Sequence, residues 1–253
     1  MKMHVLSGGW LRMRKSIYAS SADRSELIDL PVSCYLLKHP QGNVLFDTGC
    51  HPSVSEDAEA RWGNMAKVMK PVGDPAVNLL TELAAVGVQT ADIDVVINSH
   101  FHSDHCGCNE YFDKATVICH CDELATAEAD GAEQQGFLQV DWKHNQPIQT
   151  IDSQYDVFGD GRIVLVPLPG HTPGLTGALV NLDQDGSFLL TSDAVAMREH
   201  LEQDVNPRNT WDAELASKSM AEIRRIQAAG STVLFGHDAE QWSSLRKGVQ
   251  AYE

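Results

Sequence analysis

At residues 98–105 the chain reads Asn-Ser-His-Phe-His-Ser-Asp-His. The apolar run Val95–Ile97 comes directly before this segment, and a short apolar run of this kind is typical of a buried strand. Three histidines and one aspartate are therefore expected just past the end of a strand. A lone histidine is more often an ordinary core or surface residue, but this grouping indicates a metal site.

The spacing within this segment predicts ligands that approach from two sides. In extended backbone, residues two apart point in the same direction, so His100 and His102 are expected to project together. Asp104 and His105 come after a turn and can approach from another side. Zn²⁺ accepts imidazole nitrogens and carboxylate oxygens as ligands at about 2 Å. The segment therefore offers ligands for two adjacent metal ions.

Three more metal-capable side chains follow predicted strands farther along the chain. Each lies just past the carboxyl end of its strand, where functional sites gather in α/β folds. They are His171 after residues 162–166, Asp193 after residues 187–190 and His237 after residues 232–235. Each is a weak signal alone, and together they indicate a single site.

Strand and helix patterns alternate along the chain, which predicts an α/β or α+β fold with at least two sheets. Residues 32–47 are typical of a hairpin, because two apolar runs flank a Pro-Gln-Gly turn. A helix is expected to begin at Asp74 and Pro75 and to end at Gly87.

Two stretches carry few structural signals. Residues 51–75 are polar and predict an irregular connection. The acidic, Gln-rich stretch 122–160 predicts an insertion or a loop that covers a site.

Composition and charge exclude several classes of protein. The 253 residues carry 19 Lys and Arg against 35 Asp and Glu, a formal charge of −16, and this disfavours nucleic acid and anionic membranes as partners. No apolar stretch has the length of a membrane span, and the N-terminus has no signal-peptide core. We therefore expect a cytoplasmic protein. No linker divides the chain.

The cysteines have two interpretations. In a reducing cytosol, free thiols buried as small apolar side chains are the default. A structural zinc ribbon is the alternative, but its paired cysteines should be two residues apart, whereas here one residue separates the members of each pair. The two pairs are Cys106 with Cys108 and Cys119 with Cys121; the other cysteines are Cys34 and Cys50.

The order of the metal-capable residues resembles that of the metallo-β-lactamase superfamily. The pattern begins with His-x-His-x-Asp-His at residues 100–105 and continues through His171, Asp193 and His237. The resemblance implies an α/β (α+β) fold, the αβ/βα sandwich of two mixed β-sheets flanked by helices. It also implies one hydrolase domain over residues 1–253.

The same resemblance implies two Zn²⁺ ions per chain, with other divalent metals as alternatives. One ion would be held by His100, His102 and His171, the other by Asp104, His105 and His237, with Asp193 between them. Asp47, at the end of the hairpin, would support the ligand histidines. A hydroxide shared by the two ions would attack a carbonyl, and Asp104 would also pass a proton to the leaving group.

Within the superfamily, the chain is most similar to the N-acyl-homoserine lactonase group. The segments that carry this similarity are residues 95–105, 169–174 and 236–242, with the N-terminal run 6–18 and the stretch 50–68. The resemblance implies quorum quenching by hydrolysis of a small-molecule lactone or ester, and a homodimer is compatible with it. One position departs from the group: Ala196 stands where many members have a tyrosine that contacts the substrate carbonyl.

Several alternatives remain open from the sequence. Another lactone, an ester, a thioester of the glyoxalase II type or a phosphotriester fits the same ligands. A persulfide dioxygenase with one iron ion and a non-catalytic metal-binding protein are less favoured. Apolar residues that are candidates for an acyl-chain pocket are Trp10, Met13, Trp62, Met65 and Met69.

Overall fold

Two mixed β-sheets form the centre of the computed structural model, which describes residues 1–253. The first sheet has seven strands in the order β4-β1-β2-β3-β5-β6-β7. Its strands are β1 (Lys2–Arg14), β2 (Leu27–His39), β3 (Gly42–Phe46), β4 (Lys70–Val72), β5 (Val95–Ile97), β6 (Thr116–His120) and β7 (Ile148–Ile151). Strands β3, β5, β6 and β7 run parallel, and β1, β2 and β4 pair antiparallel with their neighbours.

The second sheet has five strands in the order β12-β11-β10-β9-β8. All of its pairs are antiparallel except β11 with β12. Its strands are β8 (Tyr155–Asp156), β9 (Ile163–Pro167), β10 (Thr176–Asn181), β11 (Ser187–Leu190) and β12 (Thr232–Leu234). The helices are α1 (Val54–Trp62), α2 (Leu79–Ala85), α3 (Ser103–Cys106), α4 (Cys121–Glu128), α5 (Gln139–Trp142), α6 (Arg198–Gln203), α7 (Ala213–Ala228) and α8 (Ala239–Ser244).

Alternating side chains divide the core into layers. In β3, Val44 and Phe46 belong to an apolar cluster that joins the two sheets, whereas Leu45 belongs to a cluster on the outer face of the first sheet. This follows from the two-residue period of a strand. Helix α2 packs into the outer cluster, and α7 packs on the outer face of the second sheet through residues such as Ile223. The predicted αβ/βα sandwich is confirmed.

The predicted hairpin is confirmed as the antiparallel pair β2 and β3. The long strand β1 was not expected, because Gly8 and Gly9 interrupt its pattern. In the structure, its register against β2 shifts between Ser7 and Trp10, as expected where glycines allow a bulge. Strand β1 thus lies second from one edge of the first sheet, between β2 and the short edge strand β4.

The helix that was expected to begin at Asp74 and Pro75 is α2, and its predicted start is wrong. Asp74 closes a local turn, since its Oδ1 accepts a hydrogen bond from the Ala76 N–H at 2.9 Å. The helix begins after Asn78, whose side chain accepts from the N–H groups of Leu80 and Thr81 and is therefore the N-cap. The predicted end holds, since Gly87 has the positive φ of 73° that a helix stop favours.

The expectation of irregular structure over residues 51–75 is also wrong, because this stretch contains α1 and β4. The stretch 122–160 contains α5, β7, β8 and nearly all of α4. Part of it does lie against the cluster of histidines, where the Gln135 carbonyl is 3.2 Å from His102 Nε2. Short elements with few apolar residues leave little periodicity to detect.

None of the eight α-helices combines the length and the apolar character that crossing a bilayer requires.

Candidate metal centre

Five strands deliver polar side chains to one edge of the sandwich. Strands β3 and β5 belong to the first sheet and run parallel within it, and β9, β11 and β12 point the same way in the second sheet. Parallel strands bring their carboxyl ends to a common edge, which is where sites form in such folds. The residues that follow these ends are Asp47, the segment 98–105, His171, Asp193 and His237.

A first group of side chains contains three histidines. His102 Nδ1 lies 3.2 Å from His100 Nε2 and 3.0 Å from His171 Nε2. His100 and His171 are buried and His102 is half-buried. Three ring nitrogens therefore converge on one point, and together they can hold one metal ion.

Backbone carbonyls fix which nitrogen of two histidines is free to bind a metal. A carbonyl only accepts hydrogen bonds, so the ring nitrogen that faces it must carry the proton. His102 Nε2–H donates to the Gln135 carbonyl at 3.2 Å, which leaves Nδ1 as a lone-pair donor. His237 Nδ1–H donates to the Pro31 carbonyl at 2.9 Å, which leaves Nε2 free. Both free nitrogens face the centre.

A second group lies beside the first and contains Asp104, His105 and His237. Asp104 Oδ2 is 3.6 Å from both His105 Nε2 and His237 Nε2. All three side chains are buried. Nitrogen and oxygen donors in one compact group are the set that Zn²⁺ and similar metals accept.

Asp193 lies between the two groups. Its Oδ2 is 3.3 Å from His171 Nε2, and its Oδ1 is 2.9 Å from His237 Nε2 and 3.6 Å from His105 Nε2. One carboxylate thus presents an oxygen to each group. The structure brings together all seven side chains that the sequence singles out.

Two buried atoms at the centre, His105 Nε2 and Asp193 Oδ1, have no hydrogen-bond partner. The neighbour of Asp193 Oδ1 at 2.9 Å, His237 Nε2, carries no proton when His237 Nδ1–H donates to the Pro31 carbonyl. A buried polar atom without a partner is costly, and it usually indicates an ion or water at that place. Both atoms point to the space where the two groups meet. The residues therefore fit a bound metal.

The electrostatic environment favours neutral histidines in the first group. Burial, and then the charge of neighbouring histidines, lowers the pKa of His100 and lowers that of His102 to about 3. Burial also opposes charge on His105, but Asp104, Asp47 and Asp193 outweigh it and raise the pKa of His105 to about 10. The histidines of the first group are thus in the neutral form that binds metals. The carboxylates around His105 give the second group a negative charge that attracts a cation.

A model of the metallo-beta-lactamase superfamily matches residues 27–247 of this chain. The chain belongs to the metallo-β-lactamase superfamily.

Curated relatives of this superfamily member are named as lactonases. The chain is 34% identical to N-acyl homoserine lactonase AiiB of Agrobacterium fabrum, with 99% of this chain and 98% of the relative covered. It is 28% identical to N-acyl homoserine lactonase AttM of Azorhizobium caulinodans, with 100% and 99% covered. The resemblance to the superfamily and to its N-acyl-homoserine lactonase group is confirmed.

A solved structure of a lactone hydrolase has a similar fold. An N-acyl homoserine lactone hydrolase, with the product N-hexanoyl-L-homoserine bound at its catalytic metal centre, matches with a TM-score of 0.89 and 28% identity. The match covers 99% of this chain and 98% of that one.

Asp47 supports the centre without belonging to either group. Its carboxylate accepts from the Ser99 N–H at 2.7 Å and from the Ser99 hydroxyl at 2.7 Å, and Oδ2 lies 2.9 Å from His105 Nδ1. Asp47 has a φ of 58° and Ser192, which lies beside it, a φ of 47°. Such strained backbone tends to persist at functional sites. Sequence reasoning found Asp47 by resemblance and missed Ser192, which has no distinctive pattern.

An apolar cluster borders the candidate metal centre of the superfamily member. Of the five candidate pocket residues, Met13, Trp62 and Met69 are buried in this cluster and Met65 packs against it. Ala196 belongs to the same cluster, and its carbonyl accepts from the His237 N–H at 2.8 Å. Trp10 lies outside the cluster, with its ring edge-on to Trp242 at 6.4 Å.

The position that differs from many lactonases is filled by other side chains. Ala196 is 2% exposed, and the phenol of Tyr18 is buried in the same cluster. The Tyr18 hydroxyl donates to the Met13 sulfur at 3.3 Å. The cluster therefore leaves little room at Ala196.

The six cysteines are free, and all are buried except Cys121, which is half-buried. The expectation that they pack as small apolar side chains is thus confirmed for five of them.

Proposed function

We propose that this protein hydrolyses the ring ester of N-acyl-homoserine lactones, and so acts in quorum quenching. The observation that carries the proposal is the convergence of seven metal-capable side chains at one sheet edge. It occurs in a chain that aligns over its full length with proteins named as lactonases. The reaction adds water across the ring C–O bond, which yields a carboxylate and a free hydroxyl.

The two groups would hold two divalent metal ions, which we propose to be zinc. His100, His102 and His171 would hold one ion, and Asp104, His105 and His237 the other, with one oxygen of Asp193 toward each. Bound metals would polarise the lactone carbonyl and lower the pKa of a coordinated water to about 7. The unpartnered His105 Nε2 and Asp193 Oδ1 support this assignment.

Asp104 is the residue we assign to proton transfer. Its Oδ2 faces His105 and His237, so Oδ1 is the atom that would take the proton of the attacking water. The same atom would then give this proton to the departing ring oxygen. General acid–base groups of this kind contribute about 10²–10⁴ in rate.

Asp47 and the backbone carbonyls would orient the ligands. Asp47 holds His105 through Nδ1, and the Pro31 carbonyl holds His237 in the same way. Such partners keep the other ring nitrogen aimed at the metal and usually affect affinity when removed. The outer surface of the apolar cluster, where the partly buried Met65 and Leu138 pack against it, would receive the acyl chain.

The chain as a whole would act as one hydrolase domain on a small molecule. Six free thiols support a reducing, cytoplasmic location.

A pH-stat assay on a panel of substrates tests the proposal, because hydrolysis of a lactone, an ester, a thioester or a phosphotriester releases an acid. The panel comprises N-acyl-homoserine lactones, a simple lactone, an aryl ester, a thioester and a phosphotriester. We expect the highest kcat/KM on the homoserine lactones. It should fall about 100-fold or more in Asp104→Asn and stay unchanged in Asp113→Asn, a matched substitution at an exposed aspartate. A preference for any other member of the panel, or iron-dependent oxygen uptake with a persulfide, would contradict it.

A further inference from the structure

A buried carboxylate lies near the three-histidine group without a hydrogen bond to any of its rings. Glu123 belongs to helix α4 and is completely buried. Its Oε1 accepts from the Phe101 N–H at 2.9 Å. Its Oε2 accepts from the Thr172 hydroxyl at 2.7 Å and from the Gly174 N–H at 3.1 Å. The two oxygens of one side chain thus receive three hydrogen bonds.

The donors belong to the two loops that carry the three histidines. Phe101 lies between His100 and His102, and Thr172 directly follows His171. Glu123 therefore joins the loop after β5 to the loop after β9, which come from different sheets. A backbone hydrogen bond from the Thr176 N–H, at the start of β10, to the Ser99 carbonyl at 2.9 Å also joins the two segments.

The loop after β9 packs closely against the backbone of Glu123. A Cβ atom on Gly174 would lie 2.3 Å from the Glu123 nitrogen, so the loop after β9 sits directly on the helix. Burial raises the pKa of Glu123 to about 7, even though the three hydrogen bonds favour the carboxylate. A buried carboxylate is costly unless it is hydrogen-bonded, and here all its partners are backbone or hydroxyl donors of the two loops.

We propose that Glu123 is a positioning residue that sets the separation between His171 and the pair His100 and His102. The inference rests on the proposed function, in which these three histidines bind one metal ion. The 3.0 Å separation between His102 Nδ1 and His171 Nε2 depends on where the two loops stand relative to each other, whereas the 3.2 Å separation between His102 Nδ1 and His100 Nε2 lies within one loop.

The second group has its own supports, which predicts an asymmetric effect. His105 is held by Asp47, and His237 by the carbonyls of Pro31 and Ala196. None of these contacts involves Glu123. Loss of the Glu123 carboxylate should therefore weaken metal binding at the three-histidine group and leave the second group nearly unchanged.

Zinc titration of the metal-free protein against a chelating dye tests the inference. In Glu123→Gln, one carboxylate oxygen becomes an NH₂ group, which donates and does not accept, so the side chain can no longer accept from both the Phe101 N–H and the Gly174 N–H. We expect one of the two binding steps to weaken about 10–100-fold, the range typical for groups that orient ligands, and the other by less than about threefold. Thr172→Val removes one hydrogen bond with little change in shape and should give a smaller shift in the same step.

Two controls separate positioning from a general loss of stability. Ile223 is a buried residue of α7 that packs on the second sheet. Ile223→Val should lower the melting temperature of the metal-free protein and alter neither zinc-binding step. In a His171→Ala background, where the three-histidine group is already incomplete, Glu123→Gln should add no further loss, because residues acting on one site are not additive.

The outcomes distinguish a failure of the proposed function from a failure of the role assigned to Glu123. Wild-type protein that binds fewer than two zinc ions would overturn the proposed function itself. Two-zinc binding in the wild type, with both steps unchanged in Glu123→Gln and Thr172→Val, would overturn only the role of Glu123. Should Glu123→Gln not fold, Thr172→Val alone decides, since its unaltered binding would contradict the role and a selective loss would support it.

Discussion

Asp104 is the residue on which the proposed chemistry depends most. It is buried, and one of its oxygens lies within 3.6 Å of two histidines of the second group. The other oxygen remains for proton transfer. In the proposed function, the residue would therefore have two separable roles, as a metal ligand and as an acid–base group.

Asp104→Asn separates these roles, because the amide keeps the shape and one oxygen but cannot take up a proton. We expect kcat on a homoserine lactone to fall about 100-fold or more, in keeping with general acid–base contributions. The measurement is kcat together with metal content by elemental analysis. Near-normal kcat with both metals retained would show that Asp104 does not transfer the proton.

A substitution at Ala196 tests how tightly the apolar cluster is packed around this side chain. Ala196→Tyr would restore the phenol that many lactonases carry, but the site is already filled. Overpacking of this kind costs about 1–3 kcal/mol, so we expect a lower melting temperature and a gain in kcat/KM of at most about tenfold. Ala196→Ser is the control of similar volume. An unchanged melting temperature with a larger gain would mean that the cluster has room for a phenol.

The strand ends are the elements that make the centre possible. The histidines after β5 and the single candidate ligands after β9, β11 and β12 could be predicted because each follows a short apolar run directly in sequence. Glu123 could not be predicted, because its partners Phe101 and Thr172 are 22 and 49 residues away. Strand β1 was missed for a related reason, since its pairing with β2 and β4 compensates for two glycines that weaken its local pattern.

Gly236 tests how closely two of these strand ends must approach. A Cβ atom there would lie 2.7 Å from the Ser192 carbonyl oxygen and 2.8 Å from Asp193 Oδ1. We expect Gly236→Ala to push the loop after β12 away from the loop after β11, and to weaken metal binding measured by dye competition. Gly87→Ala, at a helix end with open space around it, should lower stability but not metal affinity. Equal metal affinity in Gly236→Ala and the wild type would contradict this close approach.

At the scale of the whole molecule, bound metal should join the two sheets. The first sheet supplies the segment 98–105, and the second supplies His171, Asp193 and His237. A ligand that binds only the folded state adds about 2.7 kcal/mol at a concentration 100 times its Kd. Removal of metal should therefore loosen the contact between the sheets as well as abolish activity.

Chelation tests this coupling. We expect the melting temperature, followed by calorimetry, to fall after treatment with a chelator and to return when Zn²⁺ is added. The acidic surface, with a formal charge of −16, provides the control: Mg²⁺ or raised salt should not restore the loss if the site is specific. Recovery with any added salt would indicate general charge screening instead of a metal site between the sheets.

The most direct measurement of the central claim is homoserine-lactone hydrolysis as a function of the metal bound per chain. Metal-free protein is loaded with Zn²⁺ in steps, and each sample is assayed by pH-stat and by elemental analysis. The dinuclear account predicts no turnover without metal and a plateau at two ions per chain. Full turnover in protein that holds less than one ion per chain would contradict it.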